Sequence, residues 1–246
     1  PRGCARWAGL FPHAPYTVCA EAYRACAREA TGRGGLLVTH AAETAEEIAF
    51  CVGGDAGLVE QLYASLPVAP PPCPGARPVD WLDRLGLLGP RTVLVHAVHL
   101  AAAEVERVAR RGSSVVLCPR SNRRFGSARA PGRALLEAGV SVGLGTDSRL
   151  SAGDLDLWRD IAAAVEDFGW TPAQAVSAAT RGSAQAFRLA DRGTLAPGRR
   201  ADIVAVRLAP GRDPWERVLA GAEIRALWRG GEECFSVDRG EASGLR

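Results

Sequence analysis

Short apolar runs alternate with longer amphipathic stretches from residue 7 to about residue 190. Trp7–Phe11, Leu36–Thr39, Thr92–Val95, Ser114–Cys118 and Ser141–Leu144 are brief, rich in Leu and β-branched residues, and predict strands. Between them, Ala20–Thr31, the Glu- and Ala-rich stretch after His40, Trp81–Leu88, Ala101–Arg111 and Arg133–Ala138 predict helices. Further helices are expected over about 154–166, 172–179 and 181–188. The segment 66–78, LPVAPPPCPGARP, must be a loop, because proline lacks the amide that either regular structure needs.

Five strand-then-helix units in series predict a parallel sheet with helical crossovers. The polar residues that stand out fall just past the C-terminal ends of the strands, where (β/α)8 barrels place their chemistry. A doubly wound sheet would instead show a Gly-rich phosphate loop, and neither GxGxxG nor a Walker motif is present. The expected fold is therefore α/β, a partial (β/α)8 TIM barrel over residues 1–190 holding five of the eight strands. Past residue 190 the pattern changes. Gly193–Val206 reads as a tight turn and a strand, and Ile224–Trp228 with Glu233–Phe235 as a hairpin. Residues 191–246 thus form a small β module, with the last residues, DRGEASGLR, expected to fray.

Composition narrows the function classes. With 30 basic and 27 acidic side chains the net charge is only +3, which argues against a nucleic-acid binder or a polybasic membrane-surface protein. No apolar run approaches the roughly 20 residues that span a bilayer. The seven cysteines are scattered without a CxxC pair, so neither a disulfide framework nor a zinc finger is indicated, and a reducing cytoplasm fits best. There is neither Met nor Lys, and the chain opens on Pro1; the expectation is a piece of a longer protein from a GC-rich gene.

The chain has four histidines, and three of them follow predicted strands. His40 in Thr39-His-Ala-Ala-Glu43 is placed as a metal ligand, since borderline cations favour imidazole nitrogen. Glu43, three residues on, can return to the same place for proton transfer, while Glu46 and Glu47 suit the start of the next helix. His96 in LVHAVHL points into the barrel mouth, where a neutral imidazole can polarise a substrate or accept a proton. His99 is expected only to orient the loop or pack in the wall. Asp147 ends the strand VSVGLGTDS, and a carboxylate there needs a metal or donors; capping the next helix is its other reading. His13, on a Pro-flanked turn, either contacts substrate or hydrogen-bonds within its loop. CPRSNRRFG is read as a polar loop in which Arg120, Ser121 and Asn122 bind a polar substrate group or simply face solvent.

Taken in order, HAPYTV, THAAETAEE, LVHAVHL, CPRSN and LGTDS resemble the amidohydrolase superfamily, in the branch of triazine chlorohydrolases and cytosine, guanine, adenosylhomocysteine and aminofutalosine deaminases. The tail ATRGSAQAFRLADRGTLAPGRRADIVAV is similar to that branch's return from barrel to β-sandwich, so the small module is expected to be the C-terminal part of a sandwich. The resemblance implies His40 and Asp147 as ligands of one divalent metal, Zn2+ first and Fe2+ second. It implies Glu43 as proton shuttle, His96 as partner of the hydrolytic water and His13 as a substrate contact, with catalysis resting on Glu43, His96 and Asp147. The implied reaction is hydrolytic deamination of an aminated purine- or pyrimidine-like base or nucleoside, a small-molecule substrate. Alternatives are a chlorohydrolase or cyclic-amide hydrolase on the same fold, or a catalytically silent scaffold. The family's HxH pair is absent from this sequence, and its first strand is similar to the family's fourth, so a longer parent is expected to supply that pair. No Lys is available to bridge two metals, which implies a mononuclear centre. Self-association, for instance as a homodimer, is left open. A barrel lacking strands should expose edges, so the chain expressed alone is expected to associate, and a clean monomer in size-exclusion chromatography would contradict the truncation.

Overall fold

The computed structural model describes residues 9–54, 57–208, 210–211 and 213–237. Five strands, β1 (Gly9–Leu10), β2 (Leu36–Ala41), β3 (Thr92–His96), β4 (Ser114–Leu117) and β5 (Val142–Leu144), form one sheet in sequence order. Every neighbouring pair is parallel. The expected fold class holds: the sheet is a curved part of a barrel with helices outside. Of the expected first strand, residues 7 and 8 lie outside the described part, as do 238–246 of the tail.

The connecting helices are α1 (Ala20–Gly32), α2 (Ala45–Gly53), α3 (Gly57–Tyr63), α4 (Pro78–Arg84), α5 (Ala102–Arg111), α6 (Pro119–Arg124) and α7 (Gly132–Glu137). After β5 come α8 (Arg149–Ala152), α9 (Leu157–Phe168), α10 (Pro172–Ser177), a π-helical turn Ala178–Gly182 and α11 (Ser183–Ala186). Two expectations are corrected here. The helix expected over Trp81–Leu88 starts earlier, because Pro78 sits at its first turn where a missing amide costs nothing. CPRSNRRFG is not a loop: Pro119 starts the short helix α6, which ends at Arg124 with Phe125 as its C-cap, before Gly126 in a left-handed conformation.

Alternation along the strands sorts the two faces. Leu37, Leu94, Val115, Leu117, Val142 and Leu144 pack outward with Tyr23, Leu82, Val108, Leu135 and Ile161 in the main core. Leu36, Val93, Val116 and Cys118, with Val38 and Val95 beside them, face inward and meet Ala186 and Phe187. The end of α11 thus forms an apolar floor under the concave face.

That floor depends on two glycines. A Cβ on Gly182 would stand 2.0 Å from the Val142 carbonyl oxygen, and one on Gly143 would stand 2.9 Å from Ser183 Oγ. With no side chain at either site, the π-helical turn lies directly on β5. Ser183 Oγ accepts the Leu144 amide at 3.3 Å and can donate to the Ala178 carbonyl at 3.0 Å. The widened π turn that the sequence pattern had split into two helices is therefore one continuous element shaped by this contact.

The C-terminal sheet is antiparallel, in the order β6 (Ile203–Leu208), β7 (Ala222–Arg229), β8 (Glu232–Ser236), and the expected hairpin is its second half. Between β6 and β7 the helix α12 (Pro214–Leu219), absent from the sequence pattern, is capped by Asp213 and sets Leu219 against the barrel core. Gly182→Ala should destabilise the chain by about 3 kcal/mol, the upper end of overpacking costs, because the obstructing atom is backbone and cannot rotate away. Chemical denaturation measures it; an unchanged midpoint would show that the turn does not seat on β5 as described.

Candidate metal centre

The strands deliver their polar residues to one end of the sheet through unusual backbone. Ala42, His96, Ala97 and Asp147 all have positive φ, at 56°, 72°, 52° and 61°. Left-handed conformations disfavour residues with a Cβ, so their clustering at one rim marks a place where the surroundings hold the chain in strain. The effect at His96 can be followed in the register. His96 pairs with Ala41, whose side chain packs into the outer core, so simple alternation would send the imidazole outward. The left-handed turn brings it back over the strand ends instead. Backbone bonds lock the rim: His40 N–H donates to the His13 carbonyl at 2.9 Å, and His99 N–H to the Ala42 carbonyl at 2.8 Å.

Three imidazoles lie in a row as a result. Ring centroids of His13 and His40 are 5.0 Å apart and those of His40 and His96 4.9 Å apart, with Phe11 4.8 Å from His40. Ligand atoms of His40, Glu43 and His96 all lie within 4.8 Å of one another. His40 Nδ1 is buried and has no hydrogen-bond partner among the described residues. Burial, then the neighbouring His96 and His13, push the His40 imidazole down to about 4 against the opposing pull of Asp147. A neutral imidazole with an orphaned buried nitrogen, facing carboxylates, is a donor set that fits a divalent cation of the zinc type.

Asp147 flanks this trio. The hydroxyls of Ser121 and Ser151 donate to its Oδ2 at 2.7 and 2.6 Å. Burial works to raise its pKa, but Ser151, Ser121 and His96 together hold it below the usual carboxylate range, so it stays ionised. His96 is oriented from behind: its Nδ1 lies 2.9 Å from Asn122 Oδ1, which can only accept, so Nδ1 carries a proton and Nε2 is the nitrogen turned toward the site. That Nε2 lies 3.4 Å from Glu43 Oε1. Glu43 is pushed up by burial and by Asp147, with His96 pulling the other way, so it can hold a proton closer to neutrality than an ordinary glutamate.

The structure thus brings together His40, Glu43 and His96, with Asp147 and His13 beside them. Ser121 and Asn122, expected as substrate contacts, also bond within the site, Ser121 Oγ to Asp147 and Asn122 Oδ1 to His96. Arg120 is set apart: its guanidinium donates to Asp154 at 2.6 Å and to the Ala152 carbonyl at 2.7 Å, and it neighbours the buried Asp160. A side chain so committed braces α6 against α8 and α9. His13 Nδ1 lies 2.8 Å from Thr17 Oγ1, whose hydroxyl can donate to the Ala14 carbonyl at 3.1 Å. His99 anchors the loop, its carbonyl accepting from Arg77. Sequence reasoning missed Ser151, four residues after Asp147 in a one-turn helix, and Glu47. Glu47 is fully buried and pushed up to about 7 by burial, against the amides of Glu43, Ala42 and Thr44. The T-x-x-E spacing at 44–47 was the available signal for it.

Histidines and carboxylates gathered at the strand ends of a parallel partial barrel are an arrangement that suits a hydrolase-type metal site. The chain belongs to the amidohydrolase family, whose model matches residues 2–234. It is 35% identical over 229 residues to the 8-oxoguanine deaminase of Pseudomonas aeruginosa, covering 88% of this chain and 47% of that protein. It is 37% identical over 242 residues to the 5-methylthioadenosine/S-adenosylhomocysteine deaminase of Nitratidesulfovibrio vulgaris, covering 92% and 50%. Among solved structures it is similar to an adenosine deaminase from Xanthomonas campestris with bound zinc, at TM-score 0.80 and 31% identity over 93% of this chain and 52% of that one. An atrazine chlorohydrolase from Arthrobacter aurescens in complex with zinc gives TM-score 0.76 and 26% identity, over 92% and 50%. The chain spans about half the length of the relatives it matches.

The depressed His40 imidazole fixes one sign of the pH response. Its folded pKa, about 4, lies below its unfolded value near 6.5, so the metal-free chain loses stability as pH falls through that interval. His40→Asn should flatten the stability profile between those pH values, read by denaturant titration; an unchanged slope would mean His40 is not buried neutral.

Proposed function

We propose that this chain carries the proton-transfer half of a metal-dependent deaminase that hydrolyses the C–N bond of an amino group on a purine-type base or nucleoside. The observation that carries the reading is the relay Asn122–His96–Glu43 set beside the orphaned His40 nitrogen. Relatives named as deaminases of 8-oxoguanine, methylthioadenosine and adenosylhomocysteine support the substrate class.

His40 and Asp147 would hold the metal, zinc by the precedent of the zinc-bound relatives. Such an ion, when bound, acts as a Lewis acid that makes water a nucleophile near neutral pH. The residues of this chain do the rest. His96, its proton fixed on Nδ1 by Asn122, accepts the proton of the attacking water at Nε2. Glu43, its pKa raised by burial, gives a proton to the ring nitrogen as the water adds. It then takes the remaining hydroxyl proton of that water and passes it to the departing amino nitrogen, so that ammonia leaves as a neutral molecule, and His96 returns its proton to Glu43. His13, on the far side of His40, faces the substrate side. Catalytic zinc commonly keeps three protein ligands. We assign the remaining donors to segments corresponding to the other half of the relatives' length.

The likeness to the atrazine chlorohydrolase favours a second reading, in which chloride rather than ammonia leaves the ring. The zinc-loaded enzyme carrying this chain should release ammonia from at least one of 8-oxoguanine, methylthioadenosine, adenosylhomocysteine or 5′-deoxyadenosine. Glu43→Gln should lower that rate by about 100-fold or more, in the range of lost general acid–base catalysis. Chloride release from a chlorinated triazine with no ammonia from any purine would overturn the deaminase reading.

A further inference from the structure

We infer that Glu47 is a positioning residue: its buried carboxylate grips the backbone amides of Ala42 and Glu43 and so holds the Glu43 side chain at the His96 imidazole. The inference rests on the proposed deaminase reading for the role of Glu43, and on geometry alone for the clamp.

The local sequence Thr44-Ala-Glu-Glu47 has the spacing of a capping box, in which a first-turn glutamate reaches back to the amide of the cap residue at the surface. Thr44 caps α2, its Oγ1 accepting the Glu47 amide at 3.1 Å. The reciprocal half is extended: besides the Thr44 amide, Glu47 reaches beyond the cap and accepts the Ala42 amide at 3.0 Å and the Glu43 amide at 2.6 Å. It does so with no exposure to solvent, although a surface carboxylate would cap the helix without the cost of burial.

What the buried carboxylate holds explains the arrangement. Ala42 is in the left-handed region, and its carbonyl accepts the His99 amide from the loop that carries His96. Glu47 therefore fastens one side of a turn whose other side is tied to the His96 loop. Glu43 sits on that turn, with Oε1 3.4 Å from His96 Nε2. Loosening the turn would let the carboxyl drift from the imidazole without changing any group that meets substrate.

Helix capping alone and positioning predict different results. In the isotopically labelled chain the Ala42 and Glu43 amides should exchange slowly with solvent, and Glu47→Gln should speed both by about tenfold or more. Thr44→Ala, which removes the cap and keeps the carboxylate, should leave both protected. In the zinc-loaded enzyme carrying this chain, Glu47→Gln should lower kcat by about 10- to 100-fold with KM within about twofold. Thr44→Ala should leave kcat within about twofold of the parent. Fast exchange of the two amides in the unaltered chain, or an unchanged kcat in a folded Glu47→Gln, would overturn the inference. If Glu47→Gln does not fold, Glu47→Asp, with the same charge and a shorter reach, is read in the same two ways. Protected amides in an enzyme that releases no ammonia would remove the deaminase reading and leave the clamp standing.

Discussion

The site depends on backbone held in the left-handed region at the strand ends. A parallel strand sends alternate side chains to opposite faces, so a strand running to its end can offer only every second residue to the concave side. At β3 the chain reaches His96 on the wrong parity and corrects it with two consecutive left-handed residues, His96 and Ala97. Ala42 and Asp147 make the same turn after β2 and β5. Each costs of the order of 1–3 kcal/mol and persists only because neighbours over-determine it. Those neighbours are visible: Glu47 and the His99 amide at Ala42, Asn122 at His96, Ser121 and Ser151 at Asp147.

The electrostatics follow from that enclosure. His40 is kept neutral by burial and by two more imidazoles, Glu43 is pushed up, and Asp147 is held down by its two serines. Two carboxylates on one rim are thus driven in opposite directions, one toward carrying a proton and one toward permanent charge. That separation is what acid–base chemistry beside a cation requires. α6 contributes to both ends, since its adjacent residues Ser121 and Asn122 bond Asp147 and His96 respectively.

Much of this was legible in the sequence because the signals are local. Strand-sized apolar runs ending in His40, His96 and the GTD of Asp147 point to the parallel sheet and to the rim where the candidate site lies. The resemblance in five ordered motifs pointed to the family that the comparisons then showed. What stayed hidden depends on contacts distant along the chain. Arg120 reads as a free cation in CPRSNRR until Asp154 and Asp160 are folded against it. The bonds from Asn122 to His96 and from Ser121 to Asp147 are hidden because nothing local shows that the partners lie 26 residues to either side. Glu47 reads as a solvated helix start, since its burial comes from tertiary packing. The π-helical turn is invisible for a similar reason: its geometry is set by the surface of β5.

The floor built by Ala186 and Phe187 has one more consequence. Inward-facing Leu36, Val38, Val93, Val95 and Val116 close onto it, so among the described residues the concave side is lined by hydrocarbon below and by polar groups only at the rim. Apolar and ionisable side chains are therefore sorted by height along the same strands. The imidazoles and carboxylates stand where the hydrocarbon base gives way to the polar rim, the boundary at which burial shifts their proton affinities most unevenly.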